Sequence, residues 1–287
     1  MPQPIPQSVD DAAELAADKA VAARNLPRYL ISAMLAGAYV GVAVVLLAAA
    51  AGPLAAANSP ATKLTGGAVF GIALTLVVFA GAELFTGNNM IMTIGWLRGR
   101  VSLLDAIAVN VASLVGNIAG SIGFAAMVYG SGALAAGSKP GKPAPGAAMI
   151  NTIAHGKIAA TDGQLFWRAV LCNMLVCLGM WMASRATSDS AKCIVLFWAL
   201  LAFIATGYDH SIANVTIFSL AIFQGTAQWS DLGHNLLLTV PGNIVGGAVL
   251  VAIPYLIAAP ARPGQAEEPA PAVIRHRRAE ALEPATT

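Results

Sequence analysis

The sequence has little charge. Lys, Arg, Asp and Glu make up 10% of its 287 residues, where a soluble domain carries roughly 25%. With 57% hydrophobic residues, it cannot cover a water-facing surface, which excludes a single soluble core. No charged residue occurs between Arg28 and Lys63, Lys63 and Glu83, Asp105 and Lys139, Lys192 and Asp209, or Asp231 and Arg262. A membrane helix needs about 20 predominantly apolar residues, and most of these intervals supply them. Cysteine is scarce too. Cys172, Cys177 and Cys193 lie in apolar stretches at spacings that fit neither a zinc site nor a redox pair. They read as packing thiols, and neither metal nor cofactor is expected. The net charge of +2 is too small for a nucleic-acid partner. The first 27 residues hold Asp10, Asp11, Glu14 and Asp18 and have no apolar run, so no cleavable signal peptide is expected.

What is present is a set of six apolar spans, near 29–52, 64–97, 103–130, 165–185, 191–223 and 232–259. They define a transmembrane domain over 28–260. In the preceding segment, 1–27, the stretch from Asp10 to Leu26 mixes Ala, Leu and Val with charges and reads as an amphipathic helix on the membrane surface. The tail, 261–287, is polar and Pro-rich and reads as disordered. The linker 131–163 is rich in Gly, Pro, Ser and Lys and reads as a surface loop. Lys and Arg favour the cytoplasmic side. With both termini cytoplasmic, 11 of these residues lie inside and 5 outside. The short-loop residues Arg98, Arg100, Arg185 and Lys192 agree, giving a multi-pass protein of a bacterial-type inner membrane.

The two halves resemble each other at an offset of 126 residues. Gly116, Asn117, Ile118, Gly120, Ala126 and Tyr129 fall over Gly242, Asn243, Ile244, Gly246, Ala252 and Tyr255. The same offset places Gly81 over Gly207, Glu83 over Asp209 and Asn88 over Asn214. Each unit holds three spans, and an odd number reverses the second unit in the bilayer. Inverted repeats are a transporter architecture with the solute site at the repeat interface. The expected fold is therefore an all-α integral membrane protein, six transmembrane helices in an inverted 3+3 repeat.

Spans two and five are both too long and both interrupted by a polar, Gly-containing insert. Broken backbone is tolerated at membrane depth only where it lines a cavity or is covered by protein. The inserts carry Glu83, Thr86, Asn88 and Asn89, then Asp209, His210, Ser211 and Asn214. An intramembrane ionisable group is a functional candidate by default. His210 is the sharpest of them; its bland reading is a neutral ring held by backbone carbonyls. Glu83 and Asp209 read chiefly as braces that accept bonds from freed N–H groups at the half-helix starts. Asn117 and Asn243, among small neighbours, read equally as packing glue and as pore-lining amides. Lys157 reads, on composition, as a solvated loop residue.

Five motifs, in order, carry a family resemblance: SAMLAGAYVG, GAELFTGNNM, CNMLVCLGMWMA, GYDHSIANV and PGNIVGG. With these, the chain resembles the formate/nitrite transporter family over roughly 25–260, and most closely its nitrite channel branch. The resemblance implies an aquaporin-like fold with two broken helices and a homopentamer with one pore in each protomer. It also implies that Thr86 belongs to a flexible loop at the first break and that His210 is the central pore histidine. Asn173 and Asn243 become pore-lining or histidine-supporting amides. Leu74 and Phe203, with Phe70 beside them, match one apolar constriction; Leu84, Phe85 and Val176 match the other. Lys157 matches a lysine of the outer vestibule. The sequence departs from the family where Asp209 replaces the commoner Glu, Tyr208 a Phe and Val215 a Met.

The function expected is passage of a small monovalent anion, nitrite first and formate or hydrosulfide next, linked to a proton through His210, which would protonate the anion or donate a hydrogen bond to it. A bare anion crossing apolar rings loses its hydration, at a cost of several kcal/mol or more, and a neutral weak acid does not. A water or glycerol channel would carry a pair of N-P-A motifs, and none occurs. An intramembrane hydrolase is disfavoured because His210 and Ser211 are adjacent, about 100° apart on a helix, and no G-x-S-x-G is present. An enzyme is not expected.

Overall fold

Charge-free sequence becomes helix. The computed structural model describes residues 1–135, 137–138 and 143–259, with no strand among them. A surface helix α1 (Ile5–Ala23) precedes span α2 (Leu26–Ala56). The second span is α3 (Thr62–Phe70) followed by α4 (Ile72–Phe79); the half-helix α5 (Phe85–Leu97) and span α6 (Leu103–Ser131) complete the first half. The second half repeats this order: α7 (Pro145–Ile158), span α8 (Asp162–Arg185), span α9 (Asp189–Thr206), half-helix α10 (Ser211–Phe223) and a last span of α11 (Trp229–Gly247), a π-helical turn and α12 (Ile253–Ala258). Polar side chains start the spans. Asn25, Ser102, Thr161 and Ser188 each accept a first-turn N–H of the helix that follows, satisfying donors a helix cannot satisfy itself.

Glycine sets how closely the spans approach. A Cβ on Gly120 would lie 1.9 Å from the carbonyl oxygen of Met34, and one on Gly246 would lie 2.2 Å from that of Val170. Thus α6 packs backbone-to-backbone on α2, and α11 does the same on α8, through residues at the 126-residue offset. Small residues permit such contact between membrane helices. Outside, large apolar side chains stay exposed, among them Leu104 (78%), Leu237 (71%) and Trp198 (61%). In water this would be costly; here they face lipid or a neighbouring protein.

Two segments differ from expectation. The linker 131–163 is not all loop. Its second part is α7, which buries Ile150 and Ala154 and packs on α2 and α10. The apolar residues of 145–158 recur at helical spacing, a signal masked by the Gly- and Pro-rich residues before them. The N-terminal helix begins at Ile5 and packs on α5 and α6. It buries Val9, Ala13, Ala16 and Ala20 at three- and four-residue intervals and is tied down by Arg100–Glu14 (3.0 Å) and by the Arg185 guanidinium donating to the Gln3 carbonyl (2.9 and 3.0 Å). The reading of 261–287 as disordered falls outside the described residues.

Candidate functional site: two helix breaks and the passage between them

Each break is made by a left-handed glycine. Beyond α4, Gly81 has φ 74°, and beyond α9, Gly207 has φ 80°, a conformation open to glycine at no steric cost. The chain then runs non-helically until α5 and α10 begin, with Leu84 and His210 extended as their N-caps.

The freed backbone is capped by asparagine. Asn117 Oδ1 accepts the N–H of Phe85 (2.9 Å), and its Nδ2 donates to the carbonyls of Glu83 (2.8 Å) and Ala33 (2.7 Å). Asn243 Oδ1 accepts the N–H of Ser211 (2.9 Å), and its Nδ2 donates to the carbonyls of Asp209 (3.0 Å) and Ala169 (2.8 Å). The sequence reading gave capping to the carboxylates; the structure gives it to these two amides. All of their bonding groups are spent on backbone. Asn243 therefore supports His210 from behind. Asn173 acts similarly on Thr86, donating to the Thr86 carbonyl (3.1 Å) and to that of Asn243 (2.6 Å), while the Cys177 thiol donates to the Thr86 carbonyl as well (3.3 Å).

The carboxylates bind side chains instead. Glu83 accepts from Lys19 Nζ (2.6 Å), Tyr29 Oη (3.1 Å) and Asn88 Nδ2 (3.2 Å). Asp209 accepts from Lys157 and from Asn214 Nδ2 (3.1 Å). Both lysines arrive on the helix that precedes their half's first span, Lys19 on α1 and Lys157 on α7. Sequence reasoning missed Lys19. The signal was its place ahead of α2, which parallels that of Lys157 ahead of α8.

Thr86 and His210, 124 residues apart, meet: Thr86 Oγ1 and His210 Nε2 are 3.0 Å apart. His210 Nδ1 accepts the N–H of Ala213 (3.2 Å). A backbone N–H can only donate, so Nδ1 is unprotonated, and the neutral ring carries its hydrogen on Nε2, which donates to Thr86 Oγ1. The threonine hydroxyl hydrogen then remains for a third group. This pair sits where the N-termini of α5 and α10 converge, each with the partial positive charge of a helix start.

A small cavity of about 10 Å³ adjoins it, lined by Phe70, Leu74, Leu84, Val176, Phe203 and His210 together with Val40, Ala73 and Leu200. The last three were not foreseen. That volume is at most a single water. Phe70 meets Phe203 edge-on (5.7 Å between centroids), and Phe203 stacks on the His210 ring (6.0 Å). Phe85 is buried beside this group without lining it. Vestibules open on both sides. One, about 380 Å³, lies under α7 and reaches Phe70, Phe203, Lys157, Asp209 and His210. The other, about 670 Å³, lies under α1 and reaches Lys19, Val77 and Glu83. Of the hydrogen-bonded pair, His210 lines the small cavity and Thr86 is buried beside it; the cavity shares Phe70, Phe203 and His210 with the α7-side vestibule and no lining residue with the α1-side one. Among the described residues no cluster of three or more His, Cys, Asp or Glu could hold a metal.

Comparison with known proteins gives the family and the fold. The family described as Formate/nitrite transporter matches residues 7–257. The nitrite transporter NirC of Salmonella typhimurium is 38% identical over 265 residues, 91% of this chain and 93% of that protein. A solved structure described as an FNT family ion channel superposes with a TM-score of 0.80 at 37% identity, covering 88% of this chain and 99% of the other. A second, described as a pentameric formate channel with formate bound, gives 0.68 at 25% identity, covering 83% and 98%.

Proposed function

Because the chain belongs to the formate/nitrite transporter family and is a multi-pass membrane protein, we propose that it conducts nitrite through the passage between its two helix breaks. The observation that carries this reading is the Thr86–His210 hydrogen bond where the N-termini of α5 and α10 converge, with His210 on the wall of an otherwise apolar cavity. Nitrite is preferred because the NirC relative covers most of the chain. Formate is the second reading, supported by the formate channel structure. The working protein is a homopentamer of the inner membrane with both termini in the cytoplasm, one pore per protomer, and the α7-side vestibule outside.

The solute crosses as its neutral acid. Between Phe70, Phe203, Leu74, Leu84 and Val176 a bare anion has no water and no counter-charge, whereas the acid has no net charge to desolvate. Side chains of these residues swing aside to pass it, since the resting cavity is smaller than the solute. Within the passage the Thr86 hydroxyl donates to a solute oxygen and is itself held by the His210 Nε2–H. His210 gives a hydrogen bond and no net proton, because its Nδ1 stays tied to Ala213; the anion takes its proton from water in the entry vestibule before it crosses. The test is uptake of nitrite, formate and hydrosulfide into proteoliposomes, with and without a proton gradient. Nitrite uptake that is fastest and driven by the gradient is expected. Faster formate than nitrite would transfer the assignment to formate, and no uptake of any of the three would overturn it.

A further inference from the structure

The lysine nearest the passage is not free to attract an anion. Lys157 is paired with Asp209, both side chains are largely buried, and together they carry no net charge. The other charged residues lining the α7-side vestibule are Lys63 and Arg168. Among the described residues neither has an ion-pair or side-chain hydrogen-bond partner, and the vestibule has two positive charges in surplus. The α1-side vestibule is lined by Asp11, Lys19, Glu83 and Lys192, which balance. There Lys19 pairs with Glu83, Lys192 with Asp189, and Asp11 accepts from Gln7. The two mouths therefore share the lysine–carboxylate pair at the break and differ in what surrounds it.

We propose that Lys63 and Arg168 form an anion-capture site at the α7-side mouth, the step before entry to the passage. The two come from different walls, Lys63 from the first turn of α3 and Arg168 from α8. The backbone of Arg168 is joined to the second break, where its carbonyl accepts the N–H of Asp209 (3.3 Å). A guanidinium presents paired N–H donors that match the two oxygens of nitrite or a carboxylate, and a cationic cleft raises local anion concentration and the rate of entry. The site makes capture directional: anions enter faster from the α7 side than from the α1 side, and the advantage is screened by salt.

The site rests on the transport reading for its purpose but not for its field, and the experiment reads the two separately. Thr152 lines the same vestibule. With Thr152→Cys as reporter, an anionic thiol reagent gains over a cationic one in a positive field. Adding Lys63→Gln and Arg168→Gln is expected to lower the ratio of the two labelling rates about tenfold at low salt, and by less than about twofold at 0.5 M salt. In the chain without the reporter, the double variant is expected to raise KM for nitrite about tenfold with the limiting rate within about twofold. An unchanged labelling ratio overturns the site. A lowered ratio with an unchanged KM, in a chain that transports nitrite, overturns its role in capture. A wild-type chain that transports no nitrite overturns the transport reading, and the labelling ratio still decides the site.

Discussion

The first break is braced more fully than the second. Each has a left-handed glycine, an asparagine cap and a lysine–carboxylate pair at matching positions. At the first, the Tyr29 hydroxyl also joins Glu83, Asn88 and Ser113. Asn117 and Asn243 reach Ala33 and Ala169 on the first span of each half; four residues earlier on those spans stand Tyr29 and Leu165. Leucine brings no hydroxyl, and Asp209 is one carbon shorter than Glu83. Among the described residues, the Oδ2 of Asp209, the Oγ of Ser211 and the Nδ2 of Asn235 have no partner at the second break, against the Nδ2 of Asn89 at the first. The duplicated frame is the same in both halves, while its polar filling has diverged. The half with the sparser bracing is the one that carries His210.

The largest effect should come from the shared frame. Asn117→Ala and Asn243→Ala each remove three bonds and strand a buried N–H and two carbonyls, a loss on the order of 4 kcal/mol. Both variants should fail to yield a monodisperse oligomer in detergent; one that folds normally would break the equivalence of the two caps. Next come the lysines. Lys157→Met leaves Asp209, whose side chain is 1% exposed, as a buried carboxylate with no counter-charge and only the Asn214 amide as side-chain donor, whereas Glu83 is 20% exposed and keeps both Tyr29 and Asn88 after Lys19→Met. Losses of about 3–5 kcal/mol and about 1–2 kcal/mol are expected, read as a larger fall in melting temperature for Lys157→Met; the reverse order would contradict the bracing comparison.

Chemistry, unlike bracing, belongs to one place. Thr86→Val keeps the shape of the side chain and removes its hydroxyl, so nitrite flux should fall about tenfold or more with normal assembly, and Thr86→Ser should recover most of it. Ile212, which holds the equivalent position in the second half, should tolerate Val with flux within about twofold. The smallest effect should be that of Cys177→Ala. It loses one thiol bond to the Thr86 carbonyl, which Asn173 still holds, and flux should stay within about twofold because such S–H donors are weak.

The frame was legible in the sequence because it is duplicated. Gly81 with Gly207, Glu83 with Asp209 and the repeated G-N-I survive as an offset, and long charge-free runs announce the spans. The asparagines were visible as a pair, but their work was not: an amide that caps a peptide N–H 32 residues away leaves no local pattern. Lys19 escaped for a similar reason, lying 64 residues from Glu83 on a helix that reads as a surface element. That Thr86 and His210 belong to one site followed from placing the solute site at the repeat interface. Which ring nitrogen holds the hydrogen did not, because the N–H of Ala213 fixes it, and that depends on the turn adopted at the start of α10.

The account stands or falls on how a charged solute crosses the apolar passage, and one measurement addresses this directly: nitrite uptake into proteoliposomes across a series of outside pH values, for the wild-type chain and His210→Phe, with pentamer assembly confirmed for each. The account predicts uptake that rises as the outside is acidified, because the neutral acid becomes more abundant there. It also predicts that His210→Phe is slower by about tenfold or more at every pH, because the Thr86 hydroxyl has lost the Nε2–H that orients it. Wild-type uptake indifferent to pH, or His210→Phe transporting at the wild-type rate, would contradict it.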